Sequence, residues 1–111
     1  MDRDWCAVFP YLPRAFAGST EVTYRAVFGT LPLSAWTAKG SILFRRVNGK
    51  QLNFAARRTH CTIGFRGKDA VAFYRGIGGA CPVGEVTIKL PHDQPFDSEA
   101  VQATIDWYFH N

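Results

Sequence analysis

A β-meander between Ser41 and Phe65 is the feature that most constrains how this chain can fold. Asn48-Gly49 stands between two runs of alternating apolar residues, and both residues tolerate the positive φ that a tight hairpin turn needs. A short turn near Arg58-Thr59 leads into a third alternating run, which ends at Phe65. The stretch therefore predicts three antiparallel strands in one sheet.

The hairpin of this meander admits two registers. A two-residue loop would set Phe54 opposite Leu43, whereas a three-residue loop, Val47-Asn48-Gly49, pairs Phe54 with Ile42. A slip of one residue moves every side chain of a strand to the other face, so the buried pattern must choose between them. We predict the three-residue loop, with Gly49 as a bulge glycine in the left-handed region.

Alternation along the meander divides its side chains between the two faces of the sheet. Cys61, Ile63 and Phe65 share one apolar face, which belongs to the core. The opposite face is open, polar and basic, and a solvated surface is the simplest interpretation of such charges. It is also the candidate ligand-binding surface, whose members are Arg45, Asn53, Arg57, His60 and Thr62.

Length and composition predict one globular domain over residues 1–111, with 47% hydrophobic and 20% charged residues. No apolar run approaches the roughly 20 residues that a membrane-spanning helix needs, so we expect no membrane partner. The first residues, MDRDWCAVFPYLP, include two acids and lack the basic-then-apolar pattern of a signal peptide. We therefore expect a cytoplasmic protein.

Cysteine and charge patterns narrow the possible partners. Cys6, Cys61 and Cys81 form no C-x-x-C motif, which favours reduced thiols over one disulfide plus a free cysteine. The formal net charge of +4 suggests an anionic partner. Lysine and arginine occur only as singles and pairs, however, and the lack of a longer basic run argues against nucleic acid.

Outside the meander, the sequence predicts two more strands and two helices. The strands are 21–28 and 85–90, both of which alternate, and a short helix is expected over 68–75. The last helix, 98–110, follows a good N-cap at Asp97 and carries one apolar stripe. These elements predict an α+β fold, an antiparallel sheet of about five strands with helices packed on one face.

Few residues suggest chemistry. His60 and Cys61 are sequence neighbours, but on a strand they point to opposite faces and cannot form a nucleophile–base pair. No Ser-His-Asp order, paired carboxylates or H-E-x-x-H motif is present, so we predict that the protein is not an enzyme. Oxygen and nitrogen ligands for iron or another divalent metal occur before and within the last helix, and the candidate set is His92, Asp93 and Glu99.

Two motifs resemble those of a known family. Residues 49–65, GKQLNFAARRTHCTIGF, resemble the G-K-x-L-x-F-A-A-x-K-x-H-x-G-F core of the YdhG-like family. Residues 84–95, GEVTIKLPHDQP, resemble that family's K-G-T-I-x-F-P-L-D-K-P strand, and a closing helix follows in both. The resemblance covers about residues 49–111. Residues 1–40 diverge from the long N-terminal helix and the Y-G-x-P-x-F segment that the family usually has.

The resemblance implies a small bacterial domain with a frataxin-like sandwich of one sheet and helices. Some members are described as intracellular iron chaperones, so iron is the cofactor or cargo that the resemblance suggests. It also places His60 at the family's recurrent histidine and supplies no established catalytic residues.

Two functions of different classes follow as expectations. The first is a non-enzymatic cytoplasmic YdhG-like protein that binds iron or another small ligand. The alternative is a basic interaction module that holds an acidic partner or nucleic acid on the open face of its sheet.

Overall fold

The computed structural model describes residues 14–39, 42–92 and 94–111, with the side chains of the first helix described from residue 18 onward. Within these residues, five antiparallel strands form one open sheet whose spatial order follows the sequence. The strands are β1 Thr37–Lys39, β2 Ile42–Val47, β3 Lys50–Ala56, β4 His60–Gly64 and β5 Thr87–Pro91. The helices are α1 Arg14–Phe28, α2 Asp69–Gly76 and α3 Ser98–His110, with a short 3-10 turn at Leu33–Ala35. The predicted α+β class is confirmed.

The β2–β3 hairpin turns through two residues, Asn48 and Gly49, whose φ angles are 52° and 78°. Both lie in the left-handed region, as in the primed turns that match the right-handed twist of a hairpin. Leu43 therefore lies opposite Phe54. The three-residue loop predicted from the sequence is wrong, and the side chains of β2 lie on the faces opposite to those predicted.

Two observations explain why the shorter turn is stable. Asparagine tolerates the left-handed region better than other residues with a Cβ, so no bulge is needed. The side-chain amide of Asn48 also donates to the carbonyl oxygen of Phe109 at 2.9 Å, which fixes the turn against the end of α3. Leu43 is 1% exposed in this register, whereas its neighbours Ile42 and Phe44 are only half-buried.

The core lies between one face of the sheet and the helices α1 and α3. Fully buried strand side chains alternate along this inner face, as the pleat of a half-covered sheet requires. They are Leu43, Leu52, Phe54, Cys61, Ile63, Ile88 and Leu90. Helix α3 covers them with the predicted stripe, which consists of Val101, Thr104, Ile105 and Tyr108.

The segment 21–28, predicted as a strand, lies instead in the second half of α1. Its side chains are buried at helical spacing, and the buried set is Thr20, Thr23, Tyr24 and Val27. Val22, which strand alternation would place in the core, is 72% exposed. The eight-residue window happened to alternate, but burial of one helical face against the sheet decided its structure.

The C-terminal half follows the predicted pattern closely. Helix α2 begins one residue later than predicted, and α3 has the predicted limits. The carboxylate of Asp97 accepts a hydrogen bond from the backbone N–H of Ala100 at 3.2 Å, which confirms the predicted N-cap. The strand predicted from Glu85 begins at Thr87.

Cys61 and Cys81 are both buried and unbridged, while Cys6 lies outside the described residues. Among the helices that the structure describes, none is long and apolar enough to cross a membrane.

Candidate anion-binding face

The face of the sheet opposite α1 and α3 is called the outer face. Its side chains alternate with those of the core, and Ala55 marks its centre, between Ile42 on β2 and Thr62 on β4. Ala55 is only 5% exposed although it faces away from the core cluster. The polar and charged residues of the outer face are Thr37, Lys39, Arg46, Gln51, Asn53, His60, Thr62, Thr87 and Lys89.

Most of the predicted surface residues reach this face. Asn53, His60 and Thr62 lie on it, and Arg57 is exposed in the turn that follows β3. Arg45 does not lie on the outer face, because the two-residue turn pairs it with Leu52 on the inner side of the sheet. Its placement on the open face was therefore wrong.

Arg45 lies near Tyr24 of α1 rather than at the candidate site. Burial raises the pKa of the Tyr24 hydroxyl. The hydrogen bond from Trp36 and the charges of Arg25 and Arg45 lower this pKa, but by less than burial raises it. The outer-face basic residues that the predicted ligand-binding surface did not include are Lys39, Arg46 and Lys89. Lys89 could have been included, since it alternates with Ile88 and Leu90 in a clear strand pattern.

The sheet is free of acidic side chains. None of the five described strands contains Asp or Glu, and the sequence has no acidic residue from position 22 to position 68. The same stretch contains nine basic residues, Arg25, Lys39, Arg45, Arg46, Lys50, Arg57, Arg58, Arg66 and Lys68. The outer face therefore has a positive potential that no carboxylate of its own strands reduces.

The acidic residues that the structure describes are engaged or placed elsewhere. Glu85 pairs with Lys68 at 2.8 Å, Asp97 caps α3, and Asp106 lies beside His110 on the exposed side of α3. Within the described part of the chain, Lys39, Arg46 and Lys89 have no ion-pair partner. These three cations are available to an anion from outside.

His60 lies at the most cationic end of the outer face. Partial burial lowers the pKa of its imidazole, and the positive charges of Lys89, His92 and Arg57 lower it further. Because the ordinary pKa is about 6.5, His60 is neutral at pH 7. Its Nδ1 lies 3.1 Å from the hydroxyl of Thr59. An anion bound beside His60 would raise the pKa of its imidazole and favour the charged imidazolium form.

His92 joins the end of β5 to the β3–β4 turn and to α1. Its Nε2 donates to the carbonyl oxygen of Arg57 at 3.1 Å, since a carbonyl can only accept. Its Nδ1 lies 3.4 Å from the hydroxyl of Thr23, a contact in which either group can donate. Both ring nitrogens thus have partners, and a metal ion could bind His92 only by displacing one of them.

The predicted metal ligands therefore stay a prediction. Asp93 lies outside the described residues, and Glu99 is exposed in the first turn of α3. Within the ranges 14–39, 42–92 and 94–111, no three His, Cys, Asp or Glu residues form a group that could hold a metal ion.

Cys61 and His60 point to opposite faces of β4, as predicted. Cys61 is fully buried on the inner face, and burial raises the pKa of its thiol to about 12. The residue is therefore an uncharged thiol at neutral pH and behaves as a small apolar side chain of the core.

Comparison with known proteins gives no relative, since no protein-family model, curated protein or solved structure matches this chain. The resemblance to the YdhG-like family thus rests on the two motifs alone.

Proposed function

We propose that this protein is a non-enzymatic binding module that holds a nucleic-acid strand against the outer face of its sheet. One observation carries the proposal: the strands contain no acidic residue, and the outer-face cations Lys39, Arg46 and Lys89 have no ion pair in the described part of the chain. Phosphates are the anions that recur along such a partner, and lysine and arginine are their usual contacts.

The fold answers the objection that the sequence lacks a basic run. Lys39, Arg46 and Lys89 belong to three different strands, and they share one face only because the strands pair. Adjacent strands lie about 4.8 Å apart, so the five-stranded face is roughly 20 Å wide. Cations that are scattered in the sequence thus form one surface for a short strand.

The rest of the outer face suits nucleic acid better than an acidic peptide. Gln51, Asn53 and Thr62 offer amide and hydroxyl groups that can hydrogen-bond the edges of unpaired bases. Phe44 and His60 are half-buried rings on the same face, and rings of this kind stack with bases. An acidic peptide of Asp and Glu would use the charges but would offer no planar ring to stack on Phe44 and His60.

Fluorescence anisotropy with labelled single-stranded DNA and RNA oligomers of about 12 nucleotides tests the proposal. Affinity should fall as salt rises, because each phosphate contact releases counterions, with a slope of about −0.7 per contact for single strands. Lys89→Gln should lower affinity about 3- to 10-fold and make the slope shallower by about one contact. Arg75→Gln, an exposed change on α2, is the matched control and should leave affinity unchanged.

Three results would contradict the proposal. Absence of binding at low salt is the first, and an equal loss of affinity in Lys89→Gln and Arg75→Gln is the second. Equal affinity for poly-glutamate is the third, because it would show that charge alone is recognised. Saturable binding of iron without binding of oligonucleotides would favour instead the iron-chaperone function that the YdhG-like resemblance implies.

A further inference from the structure

A cavity of about 400 Å³ lies where the β2–β3 hairpin meets the end of α3. Its volume falls within the range of small-ligand sites, which is roughly 300–1,000 Å³. The walls come from the hairpin, from the loop and first turn around α2, and from the last turns of α3. The cavity lies beside the outer face and shares Arg46 and Gln51 with it.

The lining of the cavity is cationic. Arg46, Lys50 and Arg66 contribute three positive side chains, against one acidic side chain, that of Asp69. Within the described residues none of these three cations has an ion-pair partner. Lys50 instead lies over the ring of Tyr108, with its Nζ 5.4 Å from the ring centre. The cavity thus favours an anion with a compact negative charge, such as a phosphate group.

An aromatic wall faces the same space. Trp107 lines the cavity, and Phe73 of α2 stacks against its ring, with centroids 4.7 Å apart and planes 9° from parallel. Phe73 therefore holds the indole in place. Within the described part of the chain the indole N–H of Trp107 has no hydrogen-bond acceptor. A planar ring with acceptor atoms would suit this wall.

Hydrogen bonds of Tyr108 connect the walls of the cavity without any ligand. The hydroxyl of Tyr108 accepts a hydrogen bond from the backbone N–H of Arg66 at 3.0 Å and donates one to the carbonyl oxygen of Gln51 at 2.6 Å. These two bonds fix the loop, the hairpin and α3 relative to one another. Binding must therefore order the side chains of Arg46, Lys50 and Arg66, but it need not bring these three segments together.

We infer that this cavity binds a mononucleotide, with its phosphate among Lys50, Arg66 and Arg46 and its base against Trp107. The carboxylate of Asp69, which can only accept hydrogen bonds when ionised, is suited to the hydroxyl groups of the sugar. The inference does not depend on the proposed strand-binding function. Lys50 and Arg66 lie outside the outer face, so the two sites can be tested separately.

Isothermal titration of the full chain with adenosine 5′-monophosphate, adenosine and inorganic phosphate tests the inference. The nucleotide should bind one per chain, and adenosine and phosphate should each bind at least about 10-fold more weakly, since each makes half of the contacts. Lys50→Met and Arg66→Gln should each weaken nucleotide binding about 10-fold, as expected when a charge-assisted hydrogen bond is lost. Both changes are at partly or fully exposed side chains, and Arg66→Gln keeps the backbone N–H that Tyr108 accepts.

Arg75→Gln and Lys89→Gln are the controls and should leave nucleotide binding unchanged. The inference is overturned if the nucleotide does not bind, if Lys50→Met and Arg66→Gln bind it as tightly as the parent chain, or if inorganic phosphate binds equally well. Loss of oligonucleotide binding in Lys89→Gln with intact nucleotide binding would support two separate sites. Nucleotide binding by a chain that fails to bind oligonucleotides would remove the proposed function and leave this inference standing.

Discussion

The phenol of Tyr108 accepts a hydrogen bond from the backbone N–H of Arg66, and this bond ties the last helix to the loop that follows β4. The same hydroxyl donates to the carbonyl oxygen of Gln51 on β3. One side-chain oxygen thus joins three parts of the chain that are far apart in sequence. The position of Arg66 at the cavity is consequently set by α3 as well as by its own loop.

Replacement of Tyr108 by Phe should lower both stability and nucleotide affinity. The change leaves the Arg66 N–H and the Gln51 carbonyl without their partner, which costs about 1–3 kcal/mol in unfolding free energy. Urea denaturation measures the first effect and titration with adenosine 5′-monophosphate the second. Tyr74→Phe is the control: it removes the bond from the Cys81 N–H, so it should destabilise the protein without weakening nucleotide binding. Equal nucleotide affinity in Tyr108→Phe and the parent chain would contradict the role given to Tyr108.

The register of the β2–β3 hairpin can be tested with two adjacent residues. Leu43→Ala should cost about 2–5 kcal/mol, because Leu43 is 1% exposed in the core. Phe44→Ala, on the half-buried outer face, should cost clearly less although it removes a larger side chain. Chemical denaturation of both variants gives the two losses of unfolding free energy to be compared. The three-residue loop would reverse the order of the two losses.

The elements that could be predicted from the sequence are those with a local signal. Helix α3 combines a capping Asp97 with an apolar stripe, and Asn48-Gly49 marks a turn wherever it stands between alternating strands. The register was missed because both loops put large apolar residues of β2 into the core. Which of Leu43 and Phe44 is buried depends on turn geometry, and apolar content does not reveal it.

Other features depend on tertiary structure. Segment 21–28 alternates like a strand, and only its packing against the sheet shows that Thr23 and Val27 share a buried helical face. The cavity is even harder to predict from the sequence than this helix. Arg46, Lys50, Arg66 and Trp107 come together because the hairpin, the loop and α3 meet, and no spacing in the sequence indicates this.

A glycine in the loop before β5 offers a sharp test of the core. A Cβ at Gly79 would overlap the ring of Tyr74, which is fully buried and held by its bond to the Cys81 N–H at 2.9 Å. Gly79→Ala should therefore destabilise the protein by about 1–3 kcal/mol, the usual cost of overpacking. Gly76→Ala is the control, since a Cβ there meets nothing within 4 Å. Thermal unfolding should show a lower midpoint for Gly79→Ala alone. Equal midpoints for the two variants would contradict the close packing of the Tyr74 ring against Gly79.

The imidazole of His60 should couple oligonucleotide binding to pH. Burial, followed by the charges of Lys89, His92 and Arg57, lowers its pKa in the free protein. The unfolded chain, with an ordinary pKa of about 6.5, therefore takes up this proton first as the pH falls. Its contribution to stability is present above pH 6.5 and is lost as the pH falls from there towards the lowered pKa of the folded state.

A bound phosphate acts on His60 in the opposite direction, because negative charge favours the imidazolium form. Oligonucleotide affinity should therefore rise as the pH falls from 7.5 to 5.5, measured by anisotropy at constant ionic strength. His60→Ala should abolish most of this rise and weaken binding at pH 5.5, while unfolding free energy at pH 7.5 changes by no more than about 1 kcal/mol. His92→Gln is the control for the second histidine, since its side-chain amide can still donate to the Arg57 carbonyl. If His60→Ala unfolds the domain, His60 is structural. If the pH dependence persists unchanged in a folded His60→Ala variant, the anion does not bind beside this residue.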